Sequence, residues 1–275
     1  MKQIKDSKFV VISDLHCGGS TAIFPPKITL PPLMAKEKKR VIHADPHQLS
    51  IYNHVMKQAR RIKESSVGMQ KIVVLNADLI EGTHHQTIQL KVPMVSDMVI
   101  VAIDVIETFL QEIGFSVKNG DELYFGSGTE SHTGFSEVGI ASHFKHLGAE
   151  YYDELKLKKH GKSIWFTHQW VGMGKGHNEG NALYNALKAL YYDCLKEGKQ
   201  MPDLAIGSHF HKAGLGSFSQ QFKTYYGIIT PSLQMKTRYG VKASAFQRND
   251  IGFIEFDLTK DGLFKFYEPA LLEDL

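Results

Sequence analysis

The segment FVVISDLH, residues 9–16, joins a run of apolar, mostly β-branched residues to a carboxylate and an imidazole. Such a run is typical of a buried strand. The pattern of an apolar run followed by Asp or His recurs in KIVVLNAD (71–78), SIWFTH (163–168) and DLAIGSHFH (203–211). Ligands of open α/β sheets collect outside the carboxyl ends of the strands. We therefore expect the Asp and His residues of these four segments to meet at one place.

The intervening segments carry helical patterns. Apolar residues recur at helical spacing from Ile51 to Ile62 and from Met94 to Phe109, and a further strand is predicted at 121–125. The first half is therefore predicted to have the order β-α-β-α-β. Helices near 137–147 and 181–197 and then mostly strands are predicted for the rest of the chain. Because no long polar break interrupts these patterns, we expect an α/β fold and a single domain over residues 1–275.

Residues 18–44 are the exception to this regular alternation. Two Pro-Pro pairs, at 25–26 and 31–32, exclude a helix or a central strand. We expect a proline-rich loop insertion that lies over the surface near the site. Its basic cluster KEKKR, residues 36–40, is interpreted as a solvated loop.

Composition narrows the class of protein. The 275 residues are 43% hydrophobic with a net charge of +3, too mild to indicate a nucleic-acid partner by itself. Two cysteines exclude a disulfide scaffold, and the amino terminus lacks the apolar stretch of a signal peptide. No apolar run approaches the roughly 20 residues of a membrane span. We expect a cytoplasmic protein without a membrane partner, and the sequence does not predict its oligomeric state.

The Asp and His residues that end the apolar runs form a metal-ligand set. Its members are Asp14, His16, Asp78, His168, His209 and His211. Carboxylates and imidazoles suit Zn, Mn or Fe. One carboxylate, Asp78, can bridge two cations held roughly 3.5 to 4 Å apart, as in two-metal hydrolases. We therefore predict two divalent metal ions as cofactors.

The ordered set resembles the calcineurin-like metallophosphoesterases, whose signature reads D-x-H, G-D-x-x-[DE], G-N-H-[DE], a lone His and G-H-x-H. The resemblance covers nearly the whole chain and is greatest to phage and prophage members. It implies two mixed β-sheets packed face to face with flanking helices. It also implies a first metal held by Asp14, His16, Asp78 and His211, and a second held by Asp78, His168 and His209.

The third motif departs from the family pattern, because this chain has GSGTESHTG at residues 126–134 in place of G-N-H-[DE]. Either Glu130 or Thr129 takes the place of the Asn ligand, and we favour Glu130 because a carboxylate is the better ligand. His132 would then protonate the leaving group as a general acid. Glu81 is interpreted as a residue that orients a ligand or caps a helix.

Two further segments are candidates for substrate binding. The loop QWVGMGKGHN, residues 169–178, has backbone amides and Lys175 that could contact phosphate, although its glycines are equally typical of a flexible loop. His84 and His85 follow the Asp78 motif and reach the substrate in one interpretation, whereas an ordinary polar loop is the alternative.

These residues predict a dinuclear metal-dependent phosphoesterase that uses a metal-activated hydroxide, with a phosphate ester as its partner. Residues 126–132 contain no Arg or Lys, so we favour diesters or nucleotides over monoesters, whose second charge calls for more cationic contacts. Two alternatives stay open. One is a DNA or RNA nuclease, and the other is a metal-binding scaffold protein whose catalysis is impaired by the altered third motif.

Overall fold

A computed structural model of the protein describes residues 5–82, 89–129, 134–171, 174, 180–237 and 249–272. The described residues form four α-helices: α1 (Pro46–Ser65), α2 (Val95–Glu112), α3 (Ser136–His143) and α4 (Asn181–Lys196). The strands of the first half are β1 (Ser7–Ile12), β2 (Lys27–Leu30), β3 (Arg40–His43), β4 (Gln70–Leu75), β5 (Glu122–Gly126) and β6 (Glu150–Tyr152). Those of the second half are β7 (Leu155–Lys159), β8 (Lys162–Phe166), β9 (Leu204–Gly207), β10 (Gly214–Gln220), β11 (Lys223–Ile229), β12 (Gly252–Leu258), β13 (Phe264–Phe266) and β14 (Ala270–Leu271).

Two mixed sheets organise these strands. The first has the order β13-β12-β1-β4-β5-β6, with β14 pairing β12. In it β1, β4, β5 and β6 are parallel, whereas β12 runs antiparallel to β1. The second has the order β10-β11-β9-β8-β7, with β11, β9 and β8 parallel. Each sheet therefore contains adjacent parallel strands whose carboxyl ends lie at the same edge.

Alternation along β1 shows how the sheets are layered. Phe9 and Val11 belong to a core that also contains Phe166 and Ile206 of the second sheet, so the two sheets pack face to face. Val10 and Ile12 belong to a different core, shared with α1 and α2. Since β1 is buried on both faces, its run reads as continuously apolar.

The outer face of the second sheet is covered by α4. Leu187 and Tyr191 of this helix pack with Phe218 and Tyr225 of β10 and β11. With α1 and α2 on the far side, the layers run helix, sheet, sheet, helix, which confirms the predicted fold class.

The proline-rich segment contains an element that the sequence analysis did not predict. Its residues 27–30 and 40–43 pair as the antiparallel two-stranded ribbon β2-β3. Proline excludes a central strand but permits a short ribbon, and here Pro26 and Pro31 directly flank β2. The lysines of the KEKKR cluster are exposed on the connection between the two strands, as expected for a solvated loop. Among the described residues, no helix combines the length and apolarity that crossing a membrane requires.

Candidate metal centre

Six of the predicted ligands follow the carboxyl ends of parallel strands. Asp14 and His16 follow β1, and Asp78 follows the neighbouring β4. His168 follows β8, while His209 and His211 follow the neighbouring β9 of the other sheet. The structure thus brings together, at one edge of the sandwich, residues that are up to 197 positions apart in the sequence.

The backbone at these positions is unusual. Five of the six residues have left-handed φ angles: 51° at Asp14, 47° at His16, 50° at Asp78, 75° at His209 and 53° at His211. This conformation costs a residue with a Cβ on the order of 1 to 2 kcal/mol. Strain of this kind clusters at functional sites, where the surrounding structure holds it in place.

The first triad consists of Asp14, His16 and His211, whose ligand atoms all lie within 4.8 Å of one another. His16 Nε2 and His211 Nε2 face each other at 3.3 Å. Asp14 Oδ1 is buried without a hydrogen bond of acceptable geometry from the described residues, and it lies 3.3 Å from His211 Nε2. Three ligand-type atoms that converge in this way, two imidazole nitrogens and a carboxylate oxygen, fit a cation between them.

The second triad consists of Asp78, His168 and His209, again within 4.8 Å. Asp78 Oδ2 lies 3.0 Å from His168 Nε2, and His209 Nδ1 lies 3.3 Å from the same His168 atom. The two triads adjoin, because the backbone N–H of His209 donates to Asp14 Oδ2 at 3.2 Å. The donor set therefore fits two neighbouring divalent cations, although their identity does not follow from it.

Neighbouring groups orient the imidazoles. Glu81 Oε2 lies 3.0 Å from His16 Nδ1 and accepts a hydrogen bond from Gln234 Nε2 at 2.5 Å. The Nδ1 atom of His168 is 3.2 Å from the carbonyl oxygen of Asn76. In each case a partner on Nδ1 leaves Nε2 facing the triad, an arrangement common at metal-binding histidines. Glu81 thus takes the orienting position that the sequence analysis considered for it.

Burial and neighbouring charges shift the pKa values of the triad residues. Burial opposes the charged forms, but the ion pair with His211 holds the pKa of Asp14 at about 2. Burial likewise lowers the pKa of His16, yet Glu81 outweighs it and raises the pKa to about 9; Asp78 does the same for His168, also to about 9. For His209, burial and the neighbouring His168 lower the pKa. Without cations, the carboxylates therefore hold protons on two of the imidazoles.

A glycine and a glutamate hold Asp78 in place. A Cβ at Gly128 would lie 2.4 Å from Asp78 Oδ1, so only glycine fits there. The next residue, Thr129, donates its backbone N–H to Asp78 Oδ1 at 2.8 Å. The buried Glu137 accepts backbone hydrogen bonds from Gly128 at 2.7 Å and from Leu79 at 3.2 Å. Burial, with repulsion from Asp78, raises the pKa of Glu137 to about 7.

A buried chain of side chains connects the four strand ends. Ser13 Oγ lies 2.5 Å from Thr230 Oγ1, which donates to Ser208 Oγ at 2.9 Å. Asn76 Nδ2 donates to Ser208 Oγ at 2.6 Å and to the Thr167 carbonyl oxygen at 3.0 Å. All of these residues except Thr230 are within two positions of a predicted ligand. Thr230 directly follows β11. The network therefore fixes the spacing between the two triads.

The remaining predicted site residues lie outside the described part of the chain. They are the candidate ligand Glu130, the candidate general acid His132, and the substrate-binding candidates Lys175 and His85. Thr129, the alternative to Glu130, is described, and its Oγ1 lies 3.4 Å from Asp78 Oδ2. The choice between Glu130 and Thr129 stays a prediction.

Sequence reasoning missed Glu137, Gln234 and the Ser208 network. Glu137 reads as an ordinary polar residue near the start of a helix, and Gln234 lies 153 residues from its partner Glu81. Their roles arise from contacts between distant segments, which no local pattern records. The single available signal was the small polar residue beside each ligand, such as Ser13 and Ser208.

Comparisons with known proteins find structural likeness at low identity. No family model matches the chain, and no curated protein matches it. An archaeal phosphodiesterase is 10% identical with a TM-score of 0.44, over 96% of this chain and 99% of that one. The sulfate thiohydrolase SoxB of Thermus thermophilus, solved with glycerol, is 11% identical with a TM-score of 0.43, over 99% of this chain and 57% of that one. A Thermotoga maritima protein solved by NMR is 13% identical with a TM-score of 0.32, over 95% of this chain and 98% of that one.

These likenesses are too distant to assign a function. The resemblance to phage and prophage proteins gains no support from them. The functional argument therefore depends on the two adjoining triads and on the residues that hold them.

Proposed function

We propose that the protein is a dinuclear metal-dependent phosphoesterase. The observation that carries this proposal is the pair of adjoining triads, Asp14-His16-His211 and Asp78-His168-His209, at the carboxyl ends of parallel strands. Each triad offers one carboxylate and two imidazoles, a hard and borderline donor set suited to Mn, Fe or Zn. Cys17, beside His16, is buried, and its sulfur is not among the atoms of either triad.

Two divalent cations in this site would neutralise phosphate oxygens and lower the pKa of a water, which is the chemistry that phosphate ester hydrolysis requires. The chain's own residues would divide the remaining tasks. Asp78, anchored by Thr129, would bridge the two cations. Glu130 would complete the second site, and His132 would protonate the leaving oxygen as a general acid.

We propose diesters or nucleotides as substrates in preference to monoesters, with Lys175 contacting phosphate and His85 nearby. A monoester carries an additional negative charge that calls for cationic contacts beyond the metals, and residues 126–132 supply none.

The experiment is hydrolysis of p-nitrophenyl phosphate and bis(p-nitrophenyl) phosphate by protein stripped with chelator and reloaded with Mn. We expect activity that depends on the metal, with the higher kcat/KM for the diester, and a loss of diester activity in Lys175→Ala. A higher kcat/KM for the monoester, unaffected by Lys175→Ala, would contradict the substrate proposal. Failure to hydrolyse either ester, with two metals bound, would favour the scaffold alternative. Cleavage of DNA with salt-dependent binding would favour the nuclease.

A further inference from the structure

Phe210 lies in the chain between a residue of each triad. Its neighbours in the chain are His209 of the second triad and His211 of the first. Consecutive Cα atoms are about 3.8 Å apart, so the Cα of Phe210 is within about 4 Å of a residue from each triad. Both neighbours have left-handed φ angles, and the Phe210 N–H donates to the Ser208 carbonyl oxygen at 2.9 Å. Phe210 is therefore held in a tight turn, next to one residue of each triad along the chain.

The loop that carries Phe210 is also the open side of the site. Asp14, His16, Asp78 and His168 are buried, whereas His209 and His211 are only partly buried. Phe210 itself is 39% exposed. A substrate that reaches the triads from solvent on this side therefore passes the phenyl ring.

The Phe210 ring contacts one imidazole and keeps part of its surface exposed to solvent. The ring meets the His209 imidazole at a centroid distance of 5.3 Å and an interplanar angle of 87°, an edge-to-face contact. Such a contact occupies at most one face of the phenyl ring. An isolated exposed aromatic elsewhere on a surface would be ordinary, but here the ring contacts the imidazole of a residue in the second triad.

We propose that Phe210 is a specificity-determining residue that packs against a nucleobase of the substrate. The inference rests on the proposed phosphoesterase function and narrows its substrate class to esters that carry such a group close to phosphorus. Stacking of a base on an aromatic side chain tolerates every base, since each has a π-face. The preference is therefore for nucleoside esters over simple alkyl esters, without discrimination among bases.

The test compares two diesters with the same leaving group, thymidine 5′-(p-nitrophenyl) phosphate and methyl p-nitrophenyl phosphate. The measured quantity is the ratio of their kcat/KM values for Mn-loaded protein. We expect the wild-type ratio to favour the thymidine ester and to fall about tenfold in Phe210→Leu, chiefly through KM. Phe210→Tyr, which retains a ring, keeps the ratio. Phe222→Leu is the matched control and leaves the ratio unchanged, because Phe222 directly precedes β11 and its side chain is fully exposed.

The outcomes separate this inference from the function on which it rests. Equal kcat/KM values for both esters in the wild type, or an unchanged ratio in Phe210→Leu with two metals bound, would overturn the inference alone. Hydrolysis of neither ester by metal-loaded wild-type protein would overturn the proposed function and the inference together.

Discussion

Glu81 Oε2 lies 3.0 Å from His16 Nδ1, on the side of the imidazole opposite to the atom that faces His211. Gln234 Nε2 donates to the same carboxylate oxygen, and this hydrogen bond fixes the position of the Glu81 carboxylate. This relationship makes the first triad depend on two residues that are not themselves members of it.

The first prediction concerns this orienting carboxylate. Glu81→Gln keeps the shape of the side chain but removes the charge that favours a proton on Nδ1. We expect the metal affinity of one site to fall by about 10 to 100-fold, as is typical for such partners, while the other site keeps its affinity. Isothermal titration with Zn or Mn resolves the two sites.

Glu107→Gln is the control for Glu81→Gln, because Glu107 also pairs with a histidine, His143, at 2.8 Å, but on the surface. We expect it to leave both affinities unchanged. Two unaltered affinities in Glu81→Gln would show that Glu81 does not support the first site.

The second prediction concerns the number of protons released when the metal ions bind. With pKa values of about 9, His16 and His168 are protonated at pH 7 in the metal-free protein. Cations compete with these protons, so filling both sites at pH 7 should release about two protons per chain. Titration in buffers of different ionisation enthalpy measures the number.

The sign of the pH dependence follows from the same values. Because the folded-state pKa values of His16 and His168 are raised above 6.5, their contribution to the stability of the metal-free protein is present below pH 6.5 and is lost as the pH rises through about 9. Metal affinity changes in the opposite direction and increases up to about pH 9. Metal binding at pH 7 without proton release would contradict the assignment of these two ligands.

The third prediction concerns Gly128. A Cβ at this position would lie 2.4 Å from Asp78 Oδ1 and 2.8 Å from Asp78 N, so Gly128→Ala must displace the central carboxylate. We expect a loss of about 1 to 3 kcal/mol in the free energy of unfolding, together with reduced metal content. Gly139→Ala is the matched control, since a Cβ there meets nothing within 4 Å inside α3. It should stabilise the protein by up to about 1 kcal/mol. Equal stability of the two variants in urea unfolding would refute the close approach.

The sequence predicted the strand β1 because this strand is buried on both faces, whereas the layering of two sheets was implied by the family resemblance. Phe9 and Val11 face one core and Val10 and Ile12 the other, so the run is apolar throughout and easily recognised. The ribbon β2-β3 was not predicted, because the proline pairs exclude a helix and a central strand but do not indicate which structure forms instead. In the site, the six ligands were predictable because each follows such a run. Glu137 and Gln234 were not, since their partners come from distant segments and their own neighbourhoods resemble any polar surface.

The most direct test of the account is the metal stoichiometry of Asp78→Asn compared with wild-type protein, measured by elemental analysis after loading with Mn or Zn and removal of free ions. The account predicts two ions per chain in the wild type, clearly fewer than two in Asp78→Asn, and loss of phosphoesterase activity in the variant. Asp193→Asn, on the exposed face of α4, controls for loss of a carboxylate alone and should keep two ions. Two ions and full activity in Asp78→Asn would contradict a centre bridged by Asp78.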